Sequence, residues 1–246
     1  IFRVWEDDLR NFLRWASMLV TAGVLIAAGA VLDQSSSVVR GGIRKAAWMT
    51  LGKPLSEDQV HVQYKAVLAS GMPSSRFVMM GDSLTQFANW PALLNRSDIL
   101  NLGLAGDTTS GMLERVKSLN ITRNRVLVMG GVNDILAGVG VDDIMHNLTE
   151  IVRQLNKDGN TVFLQSTIMT RRPAANELIS QLIERQRQLC KAEKCTFVDV
   201  NKSVTNGREL TEAQSVDYVH LNYDGYLLWK QAVEFIFQDE QSRLLL

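Results

Sequence analysis

From about residue 60, short apolar runs alternate with segments of helical periodicity along the chain. The apolar runs predict strands at 76–80, 99–102, 126–129, 161–165 and 196–200. The periodic segments predict helices at 91–95, 109–119, 141–157, 174–194 and 224–237. Strict alternation requires right-handed crossovers, which produce a parallel sheet covered by helices on both faces. Such sheets place their functional sites at the carboxyl ends of the strands.

The first predicted strand ends in Gly81, Asp82 and Ser83. A serine on the tight turn between a strand and a helix projects its hydroxyl into the crevice at the sheet edge. Its backbone N–H then lies near a helix start, where negative charge is favoured. Ser83 or Asp82 could equally serve as the cap of the following helix, so this segment alone leaves both interpretations open.

A nucleophilic serine needs a base, and the chain contains three histidines. His61 and His146 fall inside helical patterns away from the predicted strand ends, which favours solvated or partly packed side chains. His220 lies between the last strand and the last helix, with Asp217 three residues before it. One local turn can therefore place a carboxylate against the imidazole and fix its tautomer. A turn in which Asp217 only accepts backbone hydrogen bonds is the alternative.

Acyl transfer also needs hydrogen-bond donors for the oxyanion, and two further strand ends provide candidates. Gly106 follows the second strand, and a glycine lets the backbone approach a ligand and turn its N–H outward. Asn133 follows the third strand, where its amide could donate a second hydrogen bond. Each segment alone is an ordinary turn. Together with the serine and histidine segments, they predict one site at the sheet edge.

Four segments, in order along the chain, resemble the four blocks of the SGNH, or GDSL, hydrolase superfamily. They are GDSLT at 81–85, NLGLAGDTT at 101–109, GGVND at 130–134 and DYVH at 217–220. The resemblance covers about residues 75–240. It implies a three-layer α/β/α fold with a flavodoxin-like parallel sheet of about five strands. It also implies ester hydrolysis or acyl transfer through a serine.

The resemblance carries roles onto five positions of this sequence. Ser83 resembles the nucleophile, His220 the base, and Asp217 the residue that orients the base. Gly106 and Asn133 resemble the donors of the oxyanion hole, alongside the N–H of Ser83. No metal or other cofactor is predicted, since the chain has neither an HExxH motif nor a cluster of cysteine and histidine.

Residues 15–32 form an 18-residue stretch without charge. As a helix it would reach about 27 Å, enough for the hydrocarbon core of a membrane. We therefore expect an N-terminal membrane anchor at 1–33, a tether at 34–58 and the hydrolase domain at 59–246. A buried core helix and the apolar stretch of a signal peptide are the alternatives.

Charge and cysteine content bear on partners and location. Lysine plus arginine equals aspartate plus glutamate, at 26 each, which gives no reason to expect a nucleic-acid partner. Cys190 and Cys195 could close a small disulfide outside the cytoplasm, although two independent buried thiols fit the spacing as well. Basic residues flank the apolar stretch on both sides and leave its orientation undecided. We expect a single-pass membrane protein with an extracytoplasmic, periplasmic catalytic domain.

The short loops after the predicted strands favour an open crevice and a small acyl group. We therefore expect an esterase that hydrolyses or transfers a small acyl group, such as acetyl, on a carbohydrate or similar alcohol at a membrane surface. An anchored lysophospholipase or thioesterase is one alternative. A non-catalytic, tethered binding module with the same fold is another.

Overall fold

A computed structural model of the chain describes residues 75–119 and 121–238. The strands are β1 (Phe77–Gly81), β2 (Ile99–Gly103), β3 (Arg125–Val128), β4 (Thr161–Gln165) and β5 (Thr196–Val198). The helices are α1 (Ser83–Gln86), α2 (Trp90–Leu94), α3 (Thr109–Ser118), α4 (Val132–Leu136), α5 (Val141–Lys157), α6 (Pro173–Ala192), α7 (Asn201–Val204) and α8 (Tyr223–Val233). Two 3₁₀ turns occupy Glu212–Gln214 and Glu234–Phe237.

The five strands form one parallel sheet in the order β2-β1-β3-β4-β5. Helices α3, α5 and α6 pack in sequence against one another, whereas α2 and α7 pack against α8. These two groups are the outer layers of a three-layer α/β/α fold, which confirms the predicted fold class. Because the chain runs from β1 to β2 on one side and then to β3 on the other, the strand order reverses at β1. Ligands of such sheets bind where the order reverses.

Burial explains why the sequence forms these elements. Every residue of β1 is buried, because this strand has neighbours on both edges and helices on both faces, and it therefore reads as a continuous apolar run. Helix α5 has one apolar face, which supplies its buried residues: Ile144, Met145, Leu148, Ile151, Val152 and Leu155. Its first turn carries Asp142 and Asp143, where negative charge stabilises the helix dipole.

An aromatic cluster positions α8 next to α1. The rings of Trp90 and Trp229 meet edge to face, with their centroids 5.0 Å apart. The Trp229 indole donates to Oε1 of Gln165, at 2.7 Å, so this buried N–H is satisfied. The hydroxyl of Tyr226 donates to the backbone carbonyl of Leu84, at 2.9 Å, and joins α8 to the helix that begins at Ser83.

Cys190 and Cys195 form a disulfide, which joins the end of α6 to the segment before β5. The sequence allowed either a disulfide or two independent thiols, and the structure has the disulfide. Among the helices of residues 75–119 and 121–238, none has the length and apolar character needed to cross a membrane. The predicted anchor at 1–33 and tether at 34–58 lie outside the described residues.

Candidate active site

Ser83 is the first residue of α1, directly after the end of the buried strand β1. Asp82 caps this helix: its Oδ1 accepts a hydrogen bond from the N–H of Leu84, at 2.9 Å. Residue 81 must be glycine because other parts of the chain pack closely against it: a Cβ there would lie 2.8 Å from the carbonyl oxygen of Met129 and would also collide with the Thr85 side chain. The strand therefore turns tightly into the helix and presents Ser83 at the sheet edge.

Ser83, His220 and Asp217 form a continuous chain of hydrogen bonds. The Ser83 hydroxyl lies 2.9 Å from Nε2 of His220, and Nδ1 of the same ring lies 2.8 Å from Oδ2 of Asp217. A carboxylate on Nδ1 favours the tautomer in which Nδ1 holds the proton, which leaves Nε2 to accept a proton from the serine. The structure thus brings together three of the predicted site residues in an arrangement suited to nucleophilic catalysis.

The carboxylate of Asp217 is held by its own loop. Its Oδ1 accepts backbone N–H bonds from Val219 and His220, each at 2.7 Å. Partial burial raises the pKa of Asp217, but the hydrogen bonds from His220 and Val219 outweigh this effect and bring the pKa to about 2. Asp217 is therefore ionised at neutral pH, which stabilises a protonated His220.

The loop around His220 is closed at its base. Ser215 and Leu221 form an antiparallel bridge, and the N–H of Val216 donates to the carbonyl of His220, at 2.9 Å. On the outer side, the N–H of Arg171 donates to the carbonyl of Tyr218, at 2.8 Å. These bonds fix the position of the histidine at the sheet edge.

Gly106 and Asn133 follow β2 and β3, the two strands that flank β1. Gly106 has a φ of 78°, a conformation that favours glycine, and an added Cβ would meet nothing within 4 Å. The Asn133 amide donates to the carbonyl of Asp107, at 2.9 Å. Since an amide has two N–H groups, this bond orients the side chain and leaves one donor in a fixed direction.

Beneath these loops lies a buried ion pair that the sequence analysis did not identify. Arg115, on α3, is 1% exposed and pairs with Asp107 at 2.6 Å. The same guanidinium donates to the carbonyl of Leu102, at 2.8 Å, and to that of Gly81, at 3.2 Å. Arg115 thereby connects the ends of β1 and β2 with the loop that carries Gly106.

Two further buried carboxylates belong to the same region. Asp134 accepts hydrogen bonds from the N–H of Thr109, at 2.9 Å, and from its hydroxyl, at 2.6 Å. Burial raises the pKa of Asp134 and, despite the Arg115 guanidinium, also that of Asp107. Burial raises the pKa of Asp82 to about 7, assisted by the neighbouring charges of Asp107 and Asp134. The Oδ2 atom of Asp82 is buried without a hydrogen-bond partner.

The remaining histidines take no part in this arrangement. His146 is exposed on α5, as its helical pattern suggested, and His61 lies outside the described residues. In the part of the chain that the structure describes, no three histidine, cysteine or acidic side chains are grouped so that they could hold a metal ion.

The sequence model of the GDSL-like Lipase/Acylhydrolase family matches residues 79–228, which include the whole arrangement from Ser83 to His220. The chain belongs to this family, and it is accordingly a serine ester hydrolase of the SGNH type. No curated protein matches the chain.

Solved structures share the fold at low sequence identity. A Streptococcus pneumoniae protein, provisionally described as a platelet activating factor, has a TM-score of 0.68 and 20% identity, covering 83% of this chain and 100% of its own. A provisionally assigned acylhydrolase from Bacteroides fragilis has a TM-score of 0.62 and 21% identity, covering 76% and 98%. An acetylxylan esterase from Geobacillus stearothermophilus has a TM-score of 0.57 and 16% identity, covering 67% and 95%.

Proposed function

We propose that this protein is an esterase that removes or transfers a small acyl group, such as acetyl, on a carbohydrate or similar alcohol. The observation that carries the proposal is the hydrogen-bonded chain from Ser83 through His220 to Asp217. Ser83 attacks the ester carbonyl while Nε2 of His220 takes its proton, and the ionised Asp217 stabilises the imidazolium. The protonated His220 then returns a proton to the leaving alcohol, and water or an acceptor hydroxyl releases the acyl group.

In this mechanism the oxyanion forms between the loops after β1, β2 and β3. We assign the N–H groups of Ser83 and Gly106 and the Asn133 amide as its donors. Support comes from the positive φ of Gly106 and from the bond between Asn133 and the Asp107 carbonyl, which orients the amide. Removal of one such donor typically lowers turnover by about 100- to 1000-fold.

A small acyl group is favoured by the short segments on the oxyanion side of the site, residues 104–108 and 129–131. Neither segment is long enough to enclose a fatty acyl chain. The acetylxylan esterase that shares this fold at 16% identity shows that the fold can accommodate a sugar-linked acetyl ester.

The test is hydrolysis of p-nitrophenyl acetate and p-nitrophenyl palmitate by the wild type, Ser83→Ala and Ser97→Ala. Ser97 is exposed ahead of β2, so it serves as a matched serine control. We expect preference for the acetate, a loss of about 10⁴-fold or more in Ser83→Ala, and no loss in Ser97→Ala. The thermal midpoints of the three proteins should be similar.

Three results would contradict the proposal. Near-wild-type activity of Ser83→Ala would refute the nucleophile. Preference for the palmitate would favour a lysophospholipase or thioesterase. Absence of hydrolysis across a panel of esters, with carbohydrate binding retained, would favour a non-catalytic binding module.

We also propose that residues 15–32 hold the enzyme to a membrane with the catalytic domain outside the cytoplasm. Support comes from the uncharged 18-residue stretch and, for the compartment, from the Cys190–Cys195 disulfide. The full chain should fractionate with membranes, whereas a chain that starts at Glu57 should stay in the aqueous fraction and hydrolyse p-nitrophenyl acetate. A full chain in the aqueous fraction, or an insoluble shortened chain, would refute the anchor.

A further inference from the structure

The proposed mechanism places the two halves of the ester on different sides of the site. When the tetrahedral intermediate collapses, the bond from the acyl carbon to the alcohol oxygen breaks, and that oxygen takes the proton from Nε2 of His220. The alcohol must therefore lie within hydrogen-bond reach of His220, while the carbonyl oxygen faces Gly106 and Asn133. Residues that surround His220 on the solvent side consequently contact the alcohol half.

Phe87, which is 59% exposed, lies beside the His220 ring, and the loop that carries His220 has two further exposed residues, Val216 at 68% and Tyr218 at 56%. We name these three residues the His220 collar. The Phe87 ring lies 5.5 Å from the His220 ring, centroid to centroid. The backbone N–H of Val216 donates to the carbonyl of His220, and Tyr218 lies two residues before His220 in the chain.

Isolated exposed apolar residues are ordinary, but a group of them around a reactive side chain indicates a binding surface. The Phe87 ring extends from the turn after α1, whereas Val216 and Tyr218 come from the loop before α8. Two separate segments therefore carry exposed apolar side chains, one beside His220 and two in the loop that holds it. Contact with a ligand would remove this surface from water, which is favourable in proportion to the apolar area covered.

The surroundings of Tyr218 add polar groups to this surface. The guanidinium carbons of Arg171 and Arg172 lie 5.4 Å and 5.7 Å from the centre of the Tyr218 ring. Arg171 also pairs with Glu212, so donors and an acceptor flank the aromatic ring. An aromatic face bordered by hydrogen-bonding groups suits a ligand that has one apolar face and polar edges.

We infer that the His220 collar binds the alcohol half of the ester and that this half is a pyranose ring. This inference rests on the proposed function and specifies its substrate. A pyranose has an apolar C–H face, which can stack on the Phe87 ring, and hydroxyl groups around its rim, which can reach the polar groups around Tyr218. A fatty chain would instead need a groove that encloses it, and collar side chains more than half exposed to solvent do not enclose a chain.

The test compares two esters with the same acyl group: an acetylated methyl pyranoside and methyl acetate, whose alcohol is too small to cover the collar. Phe87→Ala and Tyr218→Ala should each lower the ratio of kcat/KM for the pyranoside to that for methyl acetate by about tenfold, mainly through KM, because stacking contributes to binding. Tyr218→Phe keeps the ring and should retain most of the ratio.

Phe235→Ala is the matched control. Phe235 is also exposed, at 39%, but it lies next to Phe237, whose ring contacts Phe77 at the opposite end of β1. Its substitution should leave the ratio unchanged. The variants of Phe87 and Tyr218 lie on different segments, so one of them remains informative if the other fails to fold.

The outcomes separate this inference from the proposed function. If the wild type hydrolyses both esters and Ser83→Ala does not, an unchanged ratio in the collar variants overturns the inference and leaves the proposed function intact. Collar variants that impair long-chain esters of a small alcohol more than the pyranoside would also overturn it, in favour of a lipid contact. Failure of the wild type to hydrolyse either ester would overturn both.

Discussion

Replacement of Arg115 by methionine tests whether the buried ion pair holds the site together. Methionine is close to arginine in length but has no charge and no hydrogen-bond donor. The substitution leaves the carboxylate of Asp107 buried without its partner, and it removes the donors to the carbonyls of Gly81 and Leu102. Removal of one member of a buried pair typically costs about 3–5 kcal/mol, because the remaining charge is uncompensated.

The carboxyl of Asp107 can lower this cost by holding a proton in the folded state. The pKa of Asp107 is already raised by burial against the effect of Arg115, and loss of the guanidinium raises the pKa further. An unfolded aspartate titrates at about pH 3.9, so the unfolded chain has released most of this proton at pH 5 and nearly all of it at pH 7. The variant should therefore lose about 3–5 kcal/mol relative to the wild type at pH 7, and less at pH 5, where more of Asp107 is protonated in the folded state.

The sign follows from proton binding. Because its pKa is raised, Asp107 binds protons more readily in the folded variant than in the unfolded chain, so the free energy of unfolding falls as the pH rises. Chemical denaturation at pH 5, 6 and 7 measures the difference between variant and wild type. Adding Asp107→Asn removes the titrating group, so the double variant should be more stable than Arg115→Met at pH 7 and should lose the extra pH dependence.

Two results would refute this reasoning. One is a stability loss in Arg115→Met that is the same at pH 5 and pH 7. The other is a double variant no more stable than the single variant at pH 7. Arg115→Lys is a useful third protein, since lysine keeps the charge but lacks the planar fork that reaches three acceptors, and its loss should be smaller than that of methionine.

Three other predictions concern neighbouring groups. His220→Ala should lower kcat for p-nitrophenyl acetate more than Asp217→Ala, because the base moves the proton and the carboxylate orients the base; the reverse order would contradict the assignment. Because burial raises the pKa of Asp82 to about 7, the free energy of unfolding of Asp82→Asn minus that of the wild type should rise by about 4 kcal/mol from about pH 4 to pH 7. A difference that denaturation finds equal at both pH values would contradict this. Loss of the Cys190–Cys195 disulfide should lower the free energy of unfolding by about 2 kcal/mol, because the bond restricts the unfolded chain. An unchanged free energy of unfolding in chemical denaturation would contradict this.

The sheet could be predicted because a parallel strand covered on both faces is a continuous apolar run. All five strands were predicted, with β4 at the same bounds as in the structure. Strand β5 was predicted to reach residue 200 but ends at Val198, because the N–H of Val200 bonds the side chain of Ser166 and the chain turns into α7. Helices α4 and α7 have too few turns to show a helical period, so the sequence analysis did not find them.

Residue chemistry and the family resemblance predicted the candidate site residues, whereas they did not predict the buried ion pair beneath them. Strand ends with a serine, a histidine or an asparagine suggest a reaction. Arg115 occupies a helix whose sequence reads as an ordinary mixture of charged and apolar residues. The packing of α3 beneath the ends of β1 and β2 shows that this arginine faces inward. Its acceptors are two backbone carbonyls and one carboxylate from three separate segments, and the periodicity of one helix does not predict that they meet there.

Three of the four segments of the candidate site carry a buried aspartate next to a residue with a proposed role in catalysis. The adjacent pairs are Asp82 and Ser83, Gly106 and Asp107, and Asn133 and Asp134. Asp134, in α4, accepts from Thr109 at the start of α3, and the Asp107 carbonyl accepts from Asn133 of α4, so the segments after β2 and β3 bond each other in both directions. Burial raises the pKa of all three carboxyls, which means that folding them into place costs free energy. The salt bridge from Arg115 to Asp107 offsets part of that cost, so we expect the geometry of the segment that carries Gly106 to depend on Arg115.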